Sequence, residues 1–267
     1  MAITRTDNMI AFAKEKLIEY KYYKYLPQKT KNSDIYIVEF PKSGVTWFSS
    51  IIANINLIES GSIHRATYYN ISQIIPDVQV SRSIIDEPMW DMPKFRFIKS
   101  HYGYCPFYNH VIYLVRNPVS VMNSYYGFMA QRQQFSGSLI DFVTNKKYGI
   151  QAWKSHVEGW LNKPKSQRMH VLKFEDLRKN TLDAIIELYT NLGVGISSDT
   201  ANEAIELVSL ESMKQNESLY NKHDPLRKLQ FVGTGKAAAD MDASVRQYII
   251  SETKELLDIL GYSVDEI

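Results

Sequence analysis

The stretch that most constrains this chain is Ile35-Tyr36-Ile37-Val38-Glu39-Phe40, followed at once by Pro41-Lys42-Ser43-Gly44 and then by Val45-Thr46-Trp47. Six residues dominated by β-branched and aromatic side chains have the composition of a buried strand. The next four make a tight loop. From Thr46 to Ile55 the sequence reads as a helix that sets Phe48, Ile51, Ile52 and Ile55 on one face. A strand, a short glycine-bearing loop and a helix N-terminus together form an anion site, because loop and first-turn N–H groups point at one place and the helix dipole favours negative charge there. Lys42 adds a full positive charge, and Ser43 and Thr46 add hydroxyl donors. The local chemistry is that of a phosphate or sulfate cradle.

The common nucleotide loop, G-x-x-x-x-G-K-[ST], carries its lysine after the second glycine. Here Lys42 precedes Gly44, and a tryptophan follows. Further along, strands are expected at 95–98, 111–115 and 169–174, and helices at about 139–146, 150–161, 182–192, 199–215 and 244–260. Alternation of strands and helices argues an α/β fold with a central parallel sheet flanked by helices on both faces. In such a sheet ligands bind beyond the C-terminal ends of the strands. Lys42, His101 and Arg116 each stand just past such an end, so three strands deliver a lysine, a histidine and an arginine to one rim. The segments 59–94 and 216–242 read as irregular loops, and 7–25 as an amphipathic helix. The Lys21-Tyr22-Tyr23-Lys24-Tyr25 end of that helix could stack bases or meet a membrane surface, but it reads first as a face whose tyrosines pack while the lysines stay wet.

A chain of 267 residues suits one domain, here 1–267. The net charge of +2 gives no global field for nucleic acid, so any anion site must be local. The single cysteine, Cys105, excludes an internal disulfide and a multi-cysteine metal site and suits a reducing compartment. No apolar run approaches the ~18 residues that span a bilayer. A cytoplasmic location is expected.

The segment PKSGVTW, residues 41–47, resembles the 5′-phosphosulfate loop of the sulfotransferases that use 3′-phosphoadenosine-5′-phosphosulfate (PAPS), usually PKSGTTW, with Val45 in place of a threonine. The string VIYLVRNPVSVMNSYY resembles that family's 3′-phosphate element, and Lys99-Ser100-His101 its K-[TS]-H. The resemblance runs from about 35 to 245 and implies a P-loop-like α/β architecture. It also implies a co-substrate, PAPS, a product, 3′,5′-adenosine bisphosphate, and no metal. Carried over by position, Lys42, Ser43, Gly44, Val45, Thr46 and Trp47 would hold the phosphosulfate, with Trp47 also against adenine, and Arg116 and Ser124 would hold the 3′-phosphate. His101 would be the general base, Lys42 would meet charge on the leaving phosphate, and Lys99 would neighbour the transferred group.

The adenine side departs from the family. Phe174 replaces a tyrosine in Phe174-Glu175-Asp176-Leu177, and Val208 and Leu210 replace a threonine and a phenylalanine near the base. Around 231–240 the family's basic pair and tryptophan are missing, leaving Thr234, Gly235 and Lys236 as phosphate contacts. The C-terminal dimerisation pattern is unmatched at Ser244-Val245, and the oligomeric state stays open. Aromatics such as Tyr68, Tyr69, Trp90, Tyr125, Tyr126, Phe128 and Phe135 suggest a partly apolar small-molecule acceptor (an alcohol, phenol or amine of secondary metabolism). Two rival readings are an ATP-dependent phosphotransferase and a non-catalytic nucleotide or nucleic-acid binder.

Overall fold

The computed structural model describes residues 31–67, 69–80, 95–164, 167–223, 241–263 and 267. Several expectations lie outside these: the 7–25 helix, Tyr68, Trp90 with the rest of 81–94, and Thr234, Gly235 and Lys236. Four strands form within them: β1 (Ile35–Glu39), β2 (Phe97–Ser100), β3 (His110–Val115) and β4 (Arg168–Lys173). All pair in parallel in the order β2-β1-β3-β4. The chain passes from β1 to β2 on one side and then to β3 on the other, so the strand order reverses at β1. In sheets of this kind a crevice opens there, beyond the strand ends.

Strand periodicity divides the core. Tyr36, Val38, Ile98, Val111, Tyr113 and Val115 face one side, where they meet α3 (Pro118–Gln131), α5 (Ile150–Leu161) and α10 (Ala243–Leu260) through residues such as Met122, Trp153, Trp160 and Ile249. Ile35, Ile37, Phe97, Ile112 and Leu114 face the other, against α1 (Val45–Glu59), α7 (Thr181–Asn191) and α8 (Ser198–Leu207). Each buried aliphatic or aromatic side chain here contributes about 1.5–3 kcal/mol. At the entry to the sheet Asp34 grips Arg96 with two hydrogen bonds of 2.8 and 2.6 Å, fixing β2 beside β1.

Helix α1 is buried beyond the expected stripe: Ser49, Ser50, Asn54 and Asn56 are enclosed with Phe48 and the isoleucines. Asn54 is satisfied there, taking Ala66 N–H at 2.9 Å and donating to Ser50 and Ala66 carbonyls. Several boundaries differ from those read in the sequence, and α1 runs past Ile55 to Glu59. The second strand is shifted and runs to Ser100, because Lys99 also exchanges main-chain hydrogen bonds with Pro76 and Val78 on the loop after α2 (Ile71–Ile74). Helix α4 (Leu139–Val143) ends early, where the chain turns through Thr144 and Asn145. The expected 199–215 helix is two: α8 stops at Leu207, and Ser209 accepts the Ser212 N–H at 3.2 Å to open α9 (Leu210–His223). The first part of the expected 216–242 loop is therefore helix. No described helix is long and apolar enough to cross a membrane.

Candidate active site

Because the strands are parallel and in close register, with Glu39 opposite Leu114 and Val38 opposite Ser100, their C-terminal ends form one rim. Four segments leave it: the Phe40–Gly44 loop, His101, Arg116 and, straight from β4, α6 (Phe174–Lys179).

The loop is built on two left-handed residues, Lys42 at φ 77° and Gly44 at φ 108°. Such alternation turns main-chain N–H groups to a common side, as anion-binding nests do. Lys42 holds a conformation that non-glycine residues rarely adopt. Gly44 is required twice over, since a Cβ there would fall 2.3 Å from Phe174 Cδ2. Ser43 is buried, and both its N–H and its hydroxyl donate to Phe40 O, at 3.2 and 2.8 Å. Its hydroxyl thus closes the turn instead of facing outward as a donor. Val45 N, the first amide of α1, donates to Glu39 Oε2 at 2.8 Å.

Arg116 comes to this loop directly. Its Nη1 donates to Lys42 O at 3.3 Å and its guanidinium lies 4.6 Å over the Phe174 ring. Its Nε is buried with no hydrogen-bond partner. The segment is anchored by Asn117, which caps α3 by accepting Ser120 N–H at 2.8 Å, with Pro118 at the first helical position. Glu175 accepts Asn117 N–H and Nδ2–H through Oε1 and the Tyr262 hydroxyl through Oε2, joining α3, α6 and the end of the chain.

Lys42 Nζ stands 4.6 Å from the Phe128 ring centre, and the Arg132 guanidinium 4.2 Å from it. Burial lowers the Lys42 pKa, with Arg116, Arg132 and Lys99 acting in the same direction and Glu39 opposing them. Four cations therefore converge on the rim. Sequence reasoning missed Arg132, which lies in the unremarkable string Gln131-Arg132-Gln133-Gln134 past the end of α3.

His101 sits between two carboxylates. Nδ1 is 3.6 Å from Glu39 Oε1 and Nε2 is 3.8 Å from Asp77 Oδ2. Lys99, inside β2 and not beyond it, pairs with the same Asp77 oxygen at 3.2 Å. Burial, and then Lys99, pull the His101 pKa down to about 3, so the ring is neutral at pH 7 and its surroundings oppose its protonation. Burial pushes Glu39 up to about 7 against the pull of Lys99, the Val45 N–H and Lys42. Glu39 and Asp77 carry no sequence signal of their own.

Trp47 lies edge-on to Phe174 at 5.8 Å with the Arg178 guanidinium 5.0 Å over its ring. Thr46 and Ser124 are half-buried, Ser124 two turns into α3. Leu210 is not tied into this group: it opens α9 and is 38 % exposed. Phe40 leads from the loop into an aromatic wall, with Tyr125 edge-on to it at 5.8 Å and to Phe142 and Tyr148 beyond. His156 belongs to the core, its Nδ1 2.9 Å from the Tyr113 hydroxyl. His110 and His170 face each other at 3.2 Å where β3 and β4 begin, the far edge of the sheet.

The family model described as Sulfotransferase domain matches residues 32–240. Sulfotransferase 1E1 of Bos taurus is 28% identical over 205 residues, covering 71% of this chain and 69% of its own. Sulfotransferase 2A1 of Rattus norvegicus is 24% identical over 216 residues, covering 77% and 75%. A solved structure of retinol dehydratase in complex with androsterone and the inactive cofactor PAP shares the fold, with a TM-score of 0.64 at 17% identity over 86% of this chain and 82% of that one. The parallel sheet, the strand-end loop and a family match reaching across most of the sequence lead to one conclusion: the chain belongs to the sulfotransferase family, whose enzymes move sulfuryl groups.

Proposed function

We propose that this protein, as a single domain over 1–267 acting in the cytoplasm, transfers the sulfuryl group of PAPS to a hydroxyl, or to an amine nitrogen, of a small, partly apolar molecule. The observation that carries the reading is the junction of Arg116 with the Lys42 loop at 3.3 Å, with His101 emerging from the next strand end. One adenosine bisphosphate can bridge groups that lie this close. The residues present fit it: Arg116 Nε is a buried donor lacking a partner, and four cations face one rim.

PAPS supplies an activated sulfuryl group on a good leaving phosphate. The chain's own residues do the rest. The Ser43 and Val45 amides are taken by Phe40 O and Glu39 Oε2, so the Lys42 ammonium and the first-turn amides of Thr46 and Trp47 hold the phosphosulfate, and Lys42 meets the charge that builds on the bridging oxygen as in phosphoryl transfer. Arg116 and Ser124, joined by Thr234, Gly235 and Lys236, hold the 3′-phosphate. Trp47 and Phe174 border the base. His101, neutral at pH 7, takes the acceptor proton. Lys99, neutralised in part by Asp77, stands beside the group in flight. The aromatic wall from Phe40 through Tyr125 and Tyr148 favours a partly apolar acceptor, and the retinol dehydratase neighbour holds androsterone.

No observation favours the phosphotransferase or the binder. Glu175, an acidic candidate for a magnesium ligand, is engaged by Asn117 and Tyr262. The test is a thermal-shift panel of PAPS, 3′,5′-adenosine bisphosphate, ATP and NAD on the wild type and Lys42→Ala. PAPS and the bisphosphate should stabilise the wild type most, and Lys42→Ala should lose most of that shift. A larger shift with ATP, or an undiminished one in Lys42→Ala, would discard the reading.

A further inference from the structure

Glu39 closes β1 one residue ahead of the loop and is only 2 % exposed. A buried carboxyl in that place needs partners, and its two oxygens serve two different elements. Oε2 takes the Val45 N–H at the start of α1, and Oε1 faces His101 Nδ1 at 3.6 Å. His101 Nδ1 is itself buried and has no hydrogen-bond partner, although the Glu39 main-chain carbonyl also lies within its reach. On the other side of the ring Asp77 is nearer to Lys99 than to Nε2. The imidazole is thus flanked at Nδ1 by a carboxyl that also takes loop N–H groups and at Nε2 by a lysine-paired one.

We propose that Glu39 is a positioning residue for His101: its carboxylate keeps the proton on Nδ1, leaves Nε2 as the base, and balances the imidazolium formed when the acceptor is deprotonated. The inference rests on the sulfotransferase reading for its catalytic meaning. In the step itself the acceptor O–H bond breaks and its proton goes to Nε2. The acceptor oxygen bonds to sulfur, and the bond from sulfur to the 5′-phosphate breaks with its electron pair leaving on the bisphosphate. Fixing a tautomer through the second ring nitrogen is what a carboxylate does for imidazole in general.

The surroundings make the pair readable by pH. Lys42 from the loop, Lys99 from β2, Tyr113 from β3 and Arg116 after β3 face Glu39, while Asp77, Lys99 and His156 face His101. With His101 at about 3 and Glu39 at about 7, an acid limb near neutrality belongs to Glu39 and not to the base.

The experiment compares wild type, Glu39→Gln, Glu39→Asp and His101→Ala. Imidazole ¹⁵N spectra, with His101 assigned by its loss in His101→Ala, are recorded in the free proteins from pH 5 to 9. Turnover with PAPS is followed on 2-naphthol as a stand-in acceptor, and binding is measured with 3′,5′-adenosine bisphosphate. Wild-type His101 should be protonated on Nδ1 above pH 7, and its ring shifts and kcat should both change with a midpoint near 7. Glu39→Gln should bind the bisphosphate, lose that midpoint and drop kcat about 10-fold or more with little change in KM for PAPS. Glu39→Asp, which keeps the charge, should recover part of the rate. An Nε2–H tautomer in the wild type, or a Glu39→Gln protein with unchanged His101 shifts and midpoint, overturns the proposal. Because the spectra need no nucleotide, they decide it even if the wild type neither binds the bisphosphate nor turns over, a result that would sink the sulfotransferase reading instead.

Discussion

Replacing Gly44 by alanine tests the loop, and two separable effects follow from the structure. The residue sits at φ 108°, which costs an L side chain about 1–2 kcal/mol. The new Cβ would also meet Phe174 Cδ2 at 2.3 Å and Cε2 at 2.5 Å, where carbon atoms prefer ~3.5–4.0 Å. The ring must therefore retreat by more than ~1 Å, and it carries the Arg116 guanidinium on its face. Losing that stacking adds about 0.5–2 kcal/mol. Together Gly44→Ala should destabilise by about 1.5–4 kcal/mol, read from urea midpoints, and should weaken 3′,5′-adenosine bisphosphate because Arg116 moves with its support. The double variant Gly44→Ala/Phe174→Ala isolates the collision. With the ring gone only the backbone strain is left, so the two changes should couple by ~1 kcal/mol or more, in the direction of rescue. Single-variant losses that simply add, to within ~0.5 kcal/mol, would show that Phe174 does not press on Gly44, and the account of why glycine is needed would fail.

The Glu39 carboxyl makes stability depend on pH. Its pKa rises from 4.5 to about 7 on folding, so the folded state holds the proton more tightly, and stability falls as pH climbs from 4.5 to 7 and levels off above. At ~1.4 kcal/mol per pKa unit the stability gain of Glu39→Gln over wild type should widen by about 3 kcal/mol across that window, measured by urea unfolding at several pH values; a gap constant with pH contradicts the burial argument. Arg116→Lys keeps the charge but loses the planar fork and its stacking on Phe174. It should fold and yet bind 3′,5′-adenosine bisphosphate ~10-fold or more weakly by calorimetry, and equal affinity would remove the guanidinium from the phosphate site.

Strands β1 and β3 were plain in the sequence because each is a run rich in β-branched residues between two buried layers, and the turn at Pro41-Lys42-Ser43-Gly44 was plain because its glycine, proline and lysine are local signals. Arg116 was legible for the same reason, standing at a strand end ahead of a proline-started helix. What stayed hidden is whatever a neighbouring element decides. The end of β2 moved because the 76–78 segment pairs with Lys99. Asp77 gains its place beside His101 only through that pairing. Glu39 looks like a polar residue at the end of a strand until two adjacent strands enclose it. Arg132 reaches Lys42 only because α3 brings Phe128 between them. The Ser43 hydroxyl has two possible directions in sequence, and only the folded turn shows that it faces inward.

The site also has to hold several like charges together before any anion arrives. Burial and three neighbouring cations all disfavour the Lys42 charge, and Glu39 alone offsets them. Aromatic faces answer part of this. Phe128 lies between Lys42 and Arg132, and Phe174 lies under Arg116. A ring attracts a cation by its quadrupole while leaving the net charge intact, so the positive field stays available to a phosphate or sulfate. A carboxylate in the same place would fix the cations as well and cancel the field. The contrast can be measured at one position. Phe128→Leu leaves the charge but removes the ring face from Lys42 and Arg132, and should weaken 3′,5′-adenosine bisphosphate by a modest factor of about 2–5, corresponding to the ~0.5–1 kcal/mol of an exposed cation–ring contact. Phe128→Glu ties both cations down and should weaken binding far more, with a loss that shrinks in high salt. If glutamate at 128 bound the anion as well as leucine does, the ring would be acting as packing alone, and the positive field at the strand ends would have to come from elsewhere.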